Sequence, residues 1–119
     1  MTAGRNRQLA RKRAKERVVP KDWYTSFAAL RAAEPPGEYR IRAFPRGSAK
    51  AVLAPHGGAI EPGTSEIAAA VAGEDLSLYC FEGLKGRVHS RLHITSHLFD
   101  EPECLALVAA SDRVLAMHG

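Results

Sequence analysis

The chain has 119 residues, of which 45% are hydrophobic and 25% are charged, and its formal net charge at pH 7 is +4. This length allows one domain with a modest core, and the composition is that of an ordinary globular protein. No apolar run approaches the roughly 18 residues of a membrane span, and the N-terminus does not resemble a secretory signal. The two cysteines, Cys80 and Cys104, fit no metal or disulfide spacing. We therefore expect a soluble cytoplasmic protein with reduced thiols.

The first 20 residues are the most basic part of the chain. Residues 1–17 contain seven basic residues and one acidic residue, with too little apolar surface to offset the entropy lost on ordering. We interpret residues 1–20 as a basic, disordered tail and residues 21–119 as the domain. Binding of this tail to nucleic acid through the phosphate backbone is an open alternative, although no aromatic residues are interleaved with the charges.

The domain is predicted to start with a short helix. Trp23, Phe27 and Leu30 lie at helical spacing, so we expect them to face inward. Asp22 is a suitable N-cap, and Pro35 ends the helical pattern.

Strands and helices then alternate along the rest of the chain. Alternating apolar and charged residues predict a half-buried strand, and continuous apolar runs predict buried strands. Strands are predicted at 38–44, 50–55, 76–81 and 113–117, a helix at 101–111, and a strand or ordered loop at 91–99. An alanine-rich helix is predicted between Thr64 as N-cap and Gly73, with Ile67 and Val71 facing inward.

This order of elements predicts an α/β fold, with a mostly parallel or mixed open sheet and flanking helices. In such sheets, ligands gather at the carboxyl ends of the strands. His56 and His118 each follow an apolar strand. We therefore expect both histidines at the same rim of the sheet.

The segment "PHGGAIEPGTSE", residues 55–66, combines a histidine with two glutamates among glycines and prolines. A glycine loop can fold Glu61 back toward His56, and imidazole nitrogen with carboxylate oxygen suits zinc. His118 would supply the third ligand. The alternative is a structural turn in which Glu61 and Glu66 only complement the N-terminus of the following helix.

Four blocks of the sequence, taken together, resemble one protein family. They are "PHGGAIEPGTSEIAAAVAG", "LSLYCFEGLK", "RLHITSHLFDEPEC" and "SDRVLAMHG", and in order and spacing they are similar to the poly-γ-glutamate hydrolases of bacteriophages and bacteria. The resemblance covers roughly residues 38–119. It implies a zinc-carboxypeptidase-like fold and zinc-dependent hydrolysis of γ-glutamyl amide bonds in poly-γ-glutamate or γ-glutamyl peptides.

The resemblance also assigns roles to individual residues. It implies that His56, Glu61 and His118 bind zinc and that Glu66 orients one of these ligands. Arg91 and His93 are candidates for binding substrate carboxylates, although His93 could equally hold the surrounding loop in place.

Members of the resembled family continue well beyond the position of His118, and they carry a downstream glutamate that resembles the general base of zinc carboxypeptidases. We therefore expect this chain to be a truncated, N-terminal half of such a protein. Glu82 is a weak internal candidate for the base. The chain is then either an active hydrolase, a non-catalytic remnant, or a half-domain completed by another chain or copy at the exposed edge of the strand at 113–117.

Overall fold

The structure is a computed structural model that describes residues 22–85 and 91–119. The basic tail predicted at 1–20 lies outside the described residues. Among the helices of residues 22–85 and 91–119, none has the length and apolar character that a membrane span requires.

Helices and strands alternate along the described part of the chain. The helices are α1 (Phe27–Ala33), α2 (Thr64–Ala72) and α3 (Pro102–Ala109), the strands are β1 (Tyr39–Phe44), β2 (Lys50–Gly58), β3 (Ser77–Gly83) and β4 (Arg113–Ala116), and short 3-10 turns occupy Pro36–Glu38 and Ser96–Leu98. All four predicted strands are present, and the segment at 91–99 is the ordered loop rather than the strand.

The strands form one open sheet in the order β1-β3-β2-β4. Strand β2 lies at the centre and runs parallel to both β3 and β4, whereas β1 runs antiparallel to β3. The predicted mixed α/β sheet is therefore confirmed. Because β2 and β4 are parallel neighbours, with Leu53 opposite Ala116, the residues that follow them meet at one rim.

Apolar side chains cover both faces of the sheet. One face packs against α1, α3 and the loop at 91–99, and the other face packs against α2. The first cluster includes Phe27, Leu30, Leu53, Tyr79, Phe81, Leu92, Ile94, Phe99 and Leu107. The second includes Val52, Ala54, Ala68, Ala72, Leu78 and Cys80. Cys80 and Cys104 are both buried and free.

Helix α1 begins four residues later than the sequence pattern predicts, at Phe27. Its N-cap is Ser26, whose hydroxyl accepts a hydrogen bond from the Ala29 N–H. Trp23 precedes the helix and is 63% exposed. The prediction that Asp22 is the cap was wrong, because its carboxylate instead accepts hydrogen bonds from Thr95, which is distant in sequence.

Helix α2 buries a different face from the one predicted. Ile67 and Val71 are 54% and 45% exposed, whereas Ala68 and Ala72 are buried against the sheet. Small alanine side chains let the helix lie close to β2 and β3. The free energy gained by this close packing outweighs what burial of the larger apolar side chains would give. The cap is Gly63, with a left-handed φ of 95°, rather than Thr64.

The loop at 91–99 is ordered because its apolar residues enter the core. Leu92 and Ile94 are fully buried among the side chains of the first cluster. Residues 93 and 95 alternate with them and are half-buried. This anchoring holds the loop beside the carboxyl end of β2.

Candidate metal centre

The carboxyl end of β2 carries a tight turn that returns the chain to His56. The register of β2 against β3 shifts between Ala54 and Gly57, and the Glu61 N–H donates to the His56 carbonyl at 2.8 Å. Gly58 has a φ of 62°, and a Cβ there would lie 2.3 Å from the Gly83 carbonyl oxygen. Only glycine fits this position without displacing the backbone. The turn thus brings Glu61 beside His56, as the glycine loop predicts.

The three predicted ligands converge at the rim of the sheet. His56, Glu61 and His118 each offer one ligand atom, and these atoms all lie within 4.8 Å of one another. The His56 Nδ1 is 3.4 Å from the Glu61 Oε1. The rings of His56 and His118 have centroids 5.6 Å apart. The backbone N–H of Gly119 donates to the same Glu61 Oε1 at 3.0 Å, which holds the end of the chain beside the cluster.

The hydrogen bonds of His56 determine which ring nitrogen is free. Its Nε2 lies 2.6 Å from the Ile94 carbonyl oxygen, and because a carbonyl can only accept, Nε2 carries the proton. The Nδ1 is buried and has no hydrogen-bond partner among the described residues. Burial is the main reason why the pKa of His56 is lowered, and the neighbouring His93 and His118 lower it further. A neutral ring with a free Nδ1 is the form that binds a metal ion.

The three side chains differ in burial, so the cluster is open to solvent on the side of His118. His56 is buried, Glu61 is half-buried and His118 is exposed. Two imidazole nitrogens and one carboxylate oxygen are a donor set typical of catalytic zinc, which keeps a further position for water or substrate. The buried Nδ1 of His56, which has no partner within residues 22–85 and 91–119, fits such an ion, because an unpaired buried nitrogen otherwise costs free energy.

His93 lies directly against the cluster. Its ring stacks on that of His56, with centroids 3.9 Å apart and planes 20° apart. Its Nδ1 is 3.0 Å from the Asp22 Oδ1, and its Nε2 is 3.8 Å from the Glu61 Oε2. Sequence reasoning assigned Asp22 to a helix cap and missed this contact, since Asp22 and His93 are 71 positions apart.

Arg91 is engaged with the N-terminal part of the domain. Its guanidinium donates to the Glu34 carboxylate at 3.2 and 3.3 Å, and its Nη2 lies 4.0 Å from Glu38. The guanidinium carbon is 5.5 Å from the centre of the Trp23 ring. The side chain is 30% exposed, so a substrate carboxylate would have to share it with these partners.

Glu82 lies on β3 opposite Arg40, and its carboxylate is buried. It accepts hydrogen bonds from Arg40 Nε at 2.6 Å and Arg42 Nη2 at 2.9 Å. Burial alone would raise the pKa of Glu82, but these hydrogen bonds outweigh it and lower the pKa to about 2. A carboxylate with so low a pKa is a weak proton acceptor, so the contacts favour a structural role over that of a general base.

Glu66 lies in the first turn of α2 and is exposed. Among the described residues, no hydrogen bond joins it to His56, Glu61 or His118. Its position at the helix N-terminus suits a carboxylate that complements the partial positive charge there.

The fold and the site together define the class of this protein. It has an open α/β sheet that carries a cluster of metal-ligating type at the carboxyl ends of two parallel strands. The family model described as poly-gamma-glutamate hydrolase matches residues 24–119. The chain belongs to this family.

Two curated proteins of Bacillus subtilis (strain 168) are similar to the chain. UPF0714 protein YndL is 43% identical over 102 residues, which cover 86% of this chain and 40% of YndL. The SPbeta prophage-derived UPF0714 protein YoqZ is 42% identical over 102 residues, which cover 86% of this chain and 37% of YoqZ. The chain therefore spans about 40% of the length of these relatives.

Two solved structures share the fold. The zinc-free structure of YndL superimposes with a TM-score of 0.79 at 43% identity, over 83% of this chain and 48% of that one. A bacteriophage poly-gamma-glutamate hydrolase superimposes with a TM-score of 0.77 at 35% identity, over 81% of this chain and 47% of that one.

Proposed function

We propose that the chain carries the zinc site of a hydrolase that cleaves γ-glutamyl amide bonds in poly-γ-glutamate or related peptides. The observation that carries this proposal is the buried Nδ1 of His56, which has no hydrogen-bond partner in the described part of the chain and faces Glu61 and His118. Membership of the poly-gamma-glutamate hydrolase family supports the choice of substrate. The zinc-free form recorded for YndL supports the choice of metal.

Each of the three residues would have a distinct part in holding zinc. His56 offers its Nδ1 because the Ile94 carbonyl keeps the proton on Nε2. Glu61 is held at the cluster by the turn from His56 and by the Gly119 N–H. His118 is exposed and forms the open side, where substrate would enter. Zinc, when bound, supplies Lewis-acid chemistry that polarises a carbonyl and makes water a better nucleophile.

We also propose accessory roles for His93, Arg91 and Glu66. His93 contacts His56 and approaches Glu61, so it is well placed to meet the substrate near the reacting bond. Arg91 can contribute positive charge for a substrate carboxylate if it shares its contact with Glu34. Glu66 would act on the ligands only through α2, whose first turn it occupies.

A second candidate function is that of a half-domain completed by another polypeptide or by a second copy. Strand β4 supports it, because all four of its residues are exposed and it pairs only with β2 among the described strands. The ion pairs of Glu82 also support it. They lower the pKa of Glu82, which makes it a weak proton acceptor, so another polypeptide or copy would supply the general base. This candidate predicts zinc binding without turnover by the isolated chain.

Zinc binding and hydrolysis by the purified chain test these proposals. We expect one zinc per chain by elemental analysis, with at least a tenfold loss of affinity in His56→Ala because a buried ligand is removed. His97→Ala is the matched control, since His97 is an exposed histidine of the nearby 3-10 turn. Release of shorter poly-γ-glutamate chains that stops on chelation supports the hydrolase. Failure of the wild-type chain to bind zinc would contradict the metal site.

A further inference from the structure

The loop at 93–95 holds His56 from two sides. The Ile94 carbonyl accepts the Nε2 proton at one edge of the ring, and the His93 ring covers one face of it. Together these contacts leave the His56 ring little freedom to rotate. The orientation of its Nδ1 therefore depends on where the loop backbone lies.

Asp22 fastens this loop to the beginning of the domain. Its Oδ2 accepts from both the backbone N–H and the hydroxyl of Thr95, each at 2.6 Å, and its Oδ1 contacts His93 Nδ1 at 3.0 Å. The three contacts come from residues on either side of Ile94. Burial acts to raise the pKa of Asp22, but these hydrogen bonds outweigh it and lower the pKa, so the carboxylate is charged at neutral pH.

His93 also connects Asp22 with a second candidate ligand. With Nδ1 directed at Asp22, the opposite nitrogen, Nε2, lies 3.8 Å from the Glu61 Oε2. The Glu61 Oε1 faces His56 and accepts from Gly119. One aspartate thus contacts a histidine that stacks on the ring of His56 and lies near the carboxylate of Glu61.

We propose that Asp22, acting through His93 and Thr95, is a positioning residue that orients His56 and Glu61 for metal binding. This inference rests on the proposed zinc site and deepens it. Outer partners of metal ligands fix ring orientation, and their loss typically lowers metal affinity by roughly 10- to 100-fold. The contacts of Asp22 are of this kind, although it touches no candidate ligand itself.

Zinc affinity of Asp22→Asn, measured by competition with a chromophoric chelator, tests the proposal. Asparagine keeps the size of the side chain but loses the charge and cannot accept on both of its terminal atoms, so we expect about a tenfold loss of affinity. The matched control is Asp100→Asn. Asp100 accepts one backbone hydrogen bond, from Phe27 at 2.7 Å, and it should retain wild-type affinity.

A second readout uses the metal-free protein and does not depend on activity. In the wild-type chain, the ring nitrogens of His56 should show a single tautomer with the proton on Nε2 in a long-range proton–nitrogen NMR spectrum. His93→Phe retains the stacked ring but removes the contacts to Asp22 and Glu61. We expect mixed His56 tautomers in Asp22→Asn and a weaker zinc affinity in both variants.

The outcomes separate this inference from the proposed function. A wild-type chain that binds zinc while a folded Asp22→Asn variant binds it equally well, with an unchanged His56 tautomer, overturns the positioning role alone. A wild-type chain that binds no zinc overturns both. An equal loss of affinity in Asp22→Asn and Asp100→Asn would mean a general effect on the fold and would also overturn the specific role of Asp22.

Discussion

At the scale of single residues, the carboxylates of Glu61 and Glu82 have different roles because they have different partners. The Glu61 carboxylate is half-buried and faces two imidazole rings, so it suits a cation. Glu82 is buried and already holds Arg40 and Arg42, so its charge is compensated within the protein. His56 and Glu82 both lie at the carboxyl end of a strand. His56 faces candidate metal ligands, whereas Glu82 is paired with two arginines, so only His56 is free to bind an ion.

The ion pairs of Glu82 predict a pH-dependent contribution to stability. Its folded-state pKa of about 2 lies below the ordinary value of 4.5, so the stabilisation is complete above about pH 4.5 and is lost as the pH falls toward 2. Glu82→Gln should lower the free energy of unfolding at pH 7 by about 2 to 3 kcal/mol, allowing for the partial exposure of the arginines.

Urea denaturation of the wild type and Glu82→Gln between pH 7 and pH 3 measures this contribution. The difference between the two should shrink as the pH falls below 4.5. Glu74→Gln is the control, because Glu74 is exposed and a surface substitution should change stability by less than about 0.5 kcal/mol. A difference that stays constant over this pH range would contradict the assigned cause.

At the scale of elements, close packing determines which face of a helix is buried. Helix α2 contains two larger apolar residues, Ile67 and Val71, on the side away from the sheet, and it buries Ala68 and Ala72. Its N-terminus follows the turn that positions Glu61. The tight approach of α2 to β2 is therefore part of what holds the candidate metal centre.

This orientation of α2 predicts a large effect on stability at Ala68 and a small one at the adjacent Ile67. Ala68→Leu should destabilise the protein by about 1 to 3 kcal/mol, because the larger side chain has no space against the sheet. Ile67→Gln, at an exposed position, should change the free energy of unfolding by less than about 0.5 kcal/mol. Thermal or urea unfolding of the two variants measures this difference, and the reverse order would mean that the other face is buried.

At the scale of the whole molecule, the sheet ends in a strand with apolar residues on both faces. Val114 and Leu115 are 41% and 50% exposed, and β4 pairs with β2 on one side only among the described strands. An open edge of this kind invites pairing with another strand. The candidate metal centre lies just beyond it, since His118 follows β4 by two residues.

Association through β4 is therefore an expected property of the chain. We predict concentration-dependent dimers in sedimentation velocity experiments, and fewer of them in Leu115→Lys, because a lysine on an edge strand opposes pairing. Leu105→Lys is the control, since Leu105 is 49% exposed on α3 and does not lie on the edge. A wild-type chain that stays monomeric at all concentrations would contradict the prediction.

Much of this organisation follows from local patterns in the sequence. The continuous apolar run before His56 and the alternation of Tyr39, Ile41 and Ala43 each predicted a strand, because side-chain period and burial are local properties. The glycines between His56 and Glu61 predicted the turn that brings the two together, since only a flexible backbone can make it.

Tertiary structure alone decided the features that depend on distant partners. These features are the contact of Asp22 with His93, the stacking of His93 on His56, and the pairing of Glu82 with β1. Each joins residues that are 37 to 71 positions apart in the sequence. Local propensity carries no information about such pairs, because their energies arise only after the sheet has formed. The sequence by itself determined the ligand types and the strands that present them. Packing of the loop and of α2 against the sheet decided which nitrogen of His56 is free and what holds it in place.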